Sequence, residues 1–280
     1  MRRLPALALA AMAACSRPAA PVDPAFAADW RRWHEEREER LRQPEGWLSL
    51  IGLHWLSEGE NRIAGLPGRF VLERGAVSLE ASAADGWTLG GAPLSGRSLL
   101  ASDEAGEPDR LRNGARTAIV IERGDRTALR VWDTESAALL EFRGVPAYPH
   151  DPRWRVVGRW EPYPAPRTVE VPSAVGIPQL EQAPGRVHFE LDGRSLTLEP
   201  TSSGDALFFV FRDLTSRDET YGAGRFLTAE PPVDGQVVLD FNRAVNPPCA
   251  FTPYATCPLP RPENSLPIRI EAGERRPAAH

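Results

Sequence analysis

Residues 185–200 read GRVHFELDGRSLTLEP, and this stretch decides the fold class. Val187, Phe189 and Leu191 alternate with polar neighbours, Asp192-Gly193 supplies a two-residue turn, and Leu196 and Leu198 resume the alternation. Period-two alternation gathers one set of side chains on one face of a strand, and Asp-Gly accepts the backbone angles of a tight hairpin. The stretch therefore reads as an antiparallel hairpin with one face against a core.

Working outward, the same grammar recurs on both sides. RFVLERGAVSLEAS predicts a hairpin turning at Arg74-Gly75, and ARTAIVIERGDRTALRVWD another turning at Gly124-Asp125. The Arg-Gly-Asp at that second turn is read as a turn and nothing more. WRVVGRW, RTVEV, ALFFVFRD, GRFLTA, QVVLDF and LPIRIEAG are further strand candidates. Short strands punctuated by Gly, Pro and Asp predict a mainly β protein, an antiparallel β-sandwich or barrel. One segment departs from this pattern. From Pro24 to Gln43 the residues Phe26, Trp30, Trp33, Arg37 and Leu41 recur at helical spacing, with EEREER on the wet side, until Pro44 and Gly46 stop the helix. One N-terminal amphipathic helix laid on a single mainly β domain over residues 24–276 is the expected organisation.

Composition narrows the function classes. The net charge is −5 with no basic cluster, which argues against a nucleic-acid partner. All 33 basic residues are arginine, so a Schiff-base lysine and a phosphate-loop lysine are both excluded. No cofactor motif and no metal-ligand spacing is evident. Ser49 and His54 lack a nucleophile-elbow context and a local aspartate to orient the histidine.

The N-terminus reads as an export signal over residues 1–15: Arg2 and Arg3, a short apolar run, then Met12-Ala13-Ala14-Cys15. The run is too short to span a bilayer, and its end resembles a bacterial lipobox with Cys15 as the lipidated residue. Residues 16–23 (SRPAAPVD) form a flexible tether. The expected location is the cell envelope, at the periplasmic face of the outer membrane, with the lipid anchor as the membrane contact.

The densest chemistry lies in DFNRAVNPPCAFTPYATCPLPRPENSLPIRIEAGE, residues 240–274. It holds Cys249, Cys257, three of five asparagines and seven prolines between Pro247 and Pro267, threaded with Phe241, Phe251, Tyr254 and Leu259. Such a segment is a pre-shaped loop rather than a linker. If Leu239 and Phe241 face the core, Asp240 and Asn242 share the opposite face, and Arg243 can pair with Asp240 or with an anion. Asn246-Pro247-Pro248 is a stiff turn. In an oxidising compartment Cys249 and Cys257 read as a disulfide, ahead of buried thiols, a metal site or a nucleophile. Upstream, Tyr221 and Arg225 flank Gly222 and Gly224, where a backbone can approach a ligand.

ETYGAGRFL (219–227), LDFNRAVNPPCAFTPYATCPLPRPEN (239–264) and IEAGE (270–274) resemble the bacterial domain of unknown function 1684 family. GWLSLIGLHWL (46–56), LRNG (111–114) and LRVWD (129–133) are similar to other segments of it. Val245 stands where the family motif carries an aromatic, so a stacking role there does not transfer. The resemblance implies export or lipid anchoring and no particular activity.

Two kinds of function fit these residues. The first is a ligand-binding lipoprotein that presents Tyr221, Arg225, Asp240, Asn242, Arg243, Asn246 and Tyr254 to a small polar or anionic molecule. The second is an envelope hydrolase with Asp240 or Glu271 as acid/base and Arg243 stabilising charge. A purely structural or interaction module is the remaining alternative. Convergence of Asp240, Arg243 and Glu271 in an open pocket would favour the enzyme, and a closed network would favour the scaffold.

Overall fold

The computed structural model describes residues 23–277. The signal segment, the proposed lipidation site Cys15 and most of the tether lie outside the described residues. The chain is mainly β, with one long helix near its N-terminus.

Helix α1 (Pro24–Leu41) begins where the sequence says it should. Asp23 accepts a hydrogen bond from the Ala25 N–H at 2.9 Å, and Pro24 occupies the first turn, where its missing N–H costs nothing.

The first half of the sheet structure runs β1 (Leu50–Trp55), β2 (Gly59–Asn61), β3 (Arg69–Glu73), β4 (Ala76–Ala81), β5 (Thr88–Leu89), β6 (Ala92–Pro93), β7 (Gly96–Leu100), β8 (Leu111–Asn113), β9 (Arg116–Arg123) and β10 (Arg126–Asp133). These make a six-stranded sheet in the order β1-β10-β9-β8-β5-β6 and a four-stranded sheet in the order β2-β3-β4-β7. Between them lies a core of Phe70, Leu79, Trp87, Leu111, Val120 and Leu129.

After a short helix α2 (Ala137–Leu140), the second half runs β11 (Arg155–Val171), β12 (Gln179–Leu191), β13 (Arg194–Leu198), β14 (Thr201–Ser203), β15 (Ala206–Phe211), β16 (Arg225–Ala229) and β17 (Gln236–Asp240). A four-stranded sheet β13-β12-β11-β17 faces a three-stranded sheet β14-β15-β16. Phe189, Leu198, Phe209, Phe211, Leu239 and Phe241 fill the space between them. The ladders are antiparallel and the sheets open, so the sandwich alternative holds and no closed barrel forms among the described residues.

The three expected hairpins are β3–β4, β9–β10 and β12–β13. Asp192 and Gly193 both take positive φ, 49° and 72°, which matches the twist of the flanking strands.

Two expectations need correction. WRVVGRW and RTVEV are not separate strands but one, β11, whose pairing with β12 shifts register between Pro162 and Arg167. The prolines of that stretch cannot donate ladder bonds, so the strand bulges there instead of ending. LPIRIEAG forms no strand. It bends at Pro267–Ile268 and at Gly273, with Ile268, Ile270 and Ala272 buried, and side chains take up much of its backbone hydrogen bonding. Arg225 donates to the carbonyls of Ile270 and Ala272, and Asp213 accepts from the Ile270 N–H at 3.2 Å.

Candidate functional site

β17 delivers Asp240 into a 3-10 turn, Phe241–Arg243, and that turn sets the geometry of the C-terminal motif. Phe241 drops into the core against Phe189 and Phe211. Asn242 is fully buried and saturated: Oδ1 accepts from the Asp151 N–H at 2.9 Å, and Nδ2 donates to the Asp151 carbonyl at 3.0 Å and to Asp240 Oδ1 at 2.9 Å. Its own carbonyl takes the Trp30 indole N–H at 3.0 Å. Asn242 thus fastens three segments and has no donor left for a ligand.

Asn246 plays a parallel part. Its N–H donates to Glu274 Oε2 at 2.6 Å and Nδ2 to the Arg275 carbonyl at 2.8 Å. Buried Glu274 also pairs with Arg37 Nε at 2.9 Å, and Arg37 Nη2 reaches the Asn246 carbonyl at 3.0 Å. Helix α1 is therefore locked onto the motif by a nearly solvent-free ion pair. Arg225, expected to face a ligand, is fully buried against Asp213 at 2.7 Å. The Tyr221 hydroxyl donates to the Cys249 carbonyl at 2.9 Å, and Tyr254 stays partly exposed.

Asp240 and Arg243 lie 3.6 Å apart, and Arg243 also pairs with Asp29. The three line an open cleft of about 490 Å³ with Phe26 and Arg155. Glu271 belongs to a different surface cluster, with Arg269 at 3.2 Å and, through Arg269, Asp218 and Glu219. Ser49 is buried with its hydroxyl spent on the carbonyls of Pro44 and Gly46, at 2.8 and 3.0 Å, rather than on His54. The disulfide expected between Cys249 and Cys257 is not formed, and both cysteines are free thiols. The loop seats the Cys257 sulfur as an acceptor for the Cys249 N–H at 3.1 Å. The hydrogen bond between the two thiols holds Cys249 below the ordinary range and pushes Cys257 up.

The second half of the motif closes a cavity that no single-residue reading anticipated. It has a volume of about 170 Å³ and lies between Val171 and Phe208, walled by Leu259 and Arg261, with Glu199 and Asn264 beneath. That volume holds several waters or a small organic group. Local chemistry explains each polar wall. The β11 bulge turns Tyr163 inward, and its hydroxyl donates to Glu199 Oε2. Arg186 Nε donates to the same oxygen at 3.1 Å, and Arg261 Nη2 donates to Oε1 at 2.6 Å. Asn264, set by the 3-10 turn Pro262–Asn264, clasps the Glu199 backbone: Oδ1 accepts its N–H at 2.9 Å and Nδ2 donates to its carbonyl at 2.9 Å.

Burial pushes the Glu199 carboxyl up, but hydrogen bonds from Tyr163, Arg261 and Arg186 outweigh it, and the net displacement is downward. Burial and then the bond to Glu199 raise Tyr163. Arg167, itself exposed, stacks 3.8 Å from the Tyr163 ring centroid. Arg261 Nη2 also lies 3.5 Å from Glu263 Oε2, whereas Nε and Nη1 have no hydrogen-bond partner among the described residues; the side chain is only 12% exposed and lines the cavity.

The family described as "Protein of unknown function (DUF1684)" matches residues 140–275. The chain belongs to the DUF1684 family. Glu199, Arg261, Asn264 and the whole C-terminal motif fall inside the match, whereas the first sandwich falls outside it. No curated protein matches the chain. Among solved structures, an uncharacterised protein of Haloarcula marismortui, determined by NMR in solution, is 31% identical. The alignment covers 50% of the DUF1684 chain and 80% of the other, with a TM-score of 0.43.

Proposed function

We propose that this DUF1684 protein is a binding module for a small polar or anionic molecule, held in the Glu199 cavity and tethered to the envelope through Cys15. The observation that carries this reading is Arg261, a nearly buried guanidinium with Nε and Nη1 donors unspent, in the wall of a partly open, partly apolar pocket. A ligand with an acceptor head would bond Arg261 and place its body against Val171, Phe208 and Leu259. Glu199 fixes the orientation of Arg261, so the ligand meets a donor that is already ordered. The Asp240–Asn246 half of the motif serves as the frame that holds this wall in place.

The test is retention. The protein is incubated with a small-molecule extract of the cell envelope, and bound compounds are identified by mass spectrometry after gel filtration. Arg261→Gln should release acidic and carbonyl-bearing compounds that the wild type retains; because the variant also takes a donor from Glu199 and should melt lower, both proteins are compared at a temperature where circular dichroism shows each folded. Retention of the same compounds by both would remove the cavity from consideration. For the anchor, Cys15→Ser should move the protein from the membrane fraction to the soluble fraction, and unchanged partitioning would reject lipidation.

A further inference from the structure

A separate pocket of about 460 Å³ opens beside the 3-10 turn Leu214–Arg217 and is bounded by Ser265 and Pro267. Arg212 and Arg217 both line it. The acidic residues alongside do not neutralise them: Asp213 is committed to Arg225 at 2.7 Å and Asp218 to Arg269 at 3.0 Å. Among the described residues neither Arg212 nor Arg217 forms an ion pair. Arg212 is oriented by Ser265, whose Oγ accepts from Nε at 2.9 Å.

The pocket wall also holds an unmade hydrogen bond. Ser216 is only 8% exposed, its Oγ is buried, and no group among the described residues bonds to it. Carboxylates near this wall are unavailable, since Asp213 Oδ1 already accepts from the N–H and hydroxyl of Thr215, at 2.8 and 2.6 Å.

We infer that this pocket binds a phosphate group, with Arg212 and Arg217 as charge-assisted donors and the Ser216 hydroxyl as the buried contact. Two guanidinium groups lining one pocket, with the Ser216 hydroxyl in its wall, offer more donors than a carboxylate uses, and they suit an oxyanion with several acceptor oxygens. The group could arrive on a small molecule or on a lipid headgroup, because both present the same oxygens. The site shares no lining residue with the Glu199 cavity, so either can fail without the other.

Gly222 provides a test that leaves the arginines untouched. It lines the pocket, and a Cβ there would meet only the Ser216 carbonyl, at 3.7 Å, an ordinary contact. Gly222→Leu should therefore obstruct the pocket from a backbone position that accepts a Cβ. The full chain is titrated calorimetrically with inorganic phosphate and, in parallel, sedimented with phosphatidylglycerol or phosphatidylcholine vesicles. Saturable phosphate binding is expected, weakened about tenfold by Arg212→Gln or Arg217→Gln and lost in Gly222→Leu, with melting temperatures unchanged. Ser216→Ala should weaken it as well. Vesicle binding that requires phosphatidylglycerol, competes with free phosphate and disappears in Gly222→Leu would assign the lipid source. Phosphate binding without vesicle binding would assign a soluble phosphorylated compound. The inference is overturned if neither probe saturates, or if Gly222→Leu and both arginine variants bind as the wild type does.

Discussion

Glu199 shows how a single side chain can be held charged in a nearly dry place. Its side chain is 5% exposed, and a lone carboxylate there would be expensive to ionise. Three donors reverse that balance, so its folded-state pKa lies below the ordinary value of 4.5 that the unfolded chain restores. The stabilisation linked to this group is then fully present above the unfolded value and disappears as the pH falls through the folded one. Glu199→Gln keeps the shape and removes the charge. The variant should be less stable than the wild type at neutral pH, and the gap between their urea midpoints should close as the solution is acidified below about 4.5. A gap that stays constant across that range would mean that Glu199 contributes shape rather than charge.

At the scale of elements, the segment Leu266–Gly273 marks the boundary between what the sequence discloses and what it does not. Its alternation correctly reports which side chains face inward, because burial is a local property of an extended chain. It does not report the hydrogen-bond partner. Here that partner is the buried Asp213–Arg225 pair, supplied from 45 to 57 residues away. Hairpins such as β12–β13 were legible for the opposite reason, since strand, turn and partner are adjacent. The cavity was not legible at all: Tyr163 and Arg261 reach Glu199 across 36 and 62 residues, and Tyr163 turns inward only because prolines bulge β11. The motif itself was visible, but several of its polar residues turned out to be fasteners. Asp213→Asn tests the staple. It leaves a fully buried guanidinium without its counter-charge and should cost about 3–5 kcal/mol in denaturant unfolding, whereas adding Arg225→Met should recover part of that loss. A single variant within about 1 kcal/mol of the wild type would show that the two backbone carbonyls alone satisfy Arg225.

For the whole molecule, the question is what makes two sandwiches behave as one body. Their cores are distinct, one built from residues between Leu66 and Val131 and the other from residues between Trp154 and Ala272. Helix α1 precedes the first sandwich in sequence yet is fastened to the C-terminal motif through Trp30 and Arg37. Between the cores sits a small cluster in which Leu41, Leu48, Phe142, Val145 and Phe251 meet. Beside it the Thr252 hydroxyl donates to the Leu50 carbonyl of β1 at 2.9 Å. Phe251 is thus the motif residue that bonds the second sandwich to the first through apolar contact, and its ring also takes the Arg37 guanidinium at 5.7 Å. Truncating a buried phenylalanine to alanine costs about 3–5 kcal/mol, and here much of that cost falls on the junction. Phe251→Ala should therefore split a single unfolding transition into two. The tryptophans make this readable: Trp47, Trp55, Trp87 and Trp132 belong to the first half and only Trp154 and Trp160 to the second core, so fluorescence weights the first sandwich, while far-ultraviolet circular dichroism follows both halves. Denaturation curves from the two signals should coincide in the wild type and separate in the variant. If they remain superimposed at a lower midpoint, the halves are coupled elsewhere, and the ion pair between Arg37 and Glu274 becomes the next contact to break.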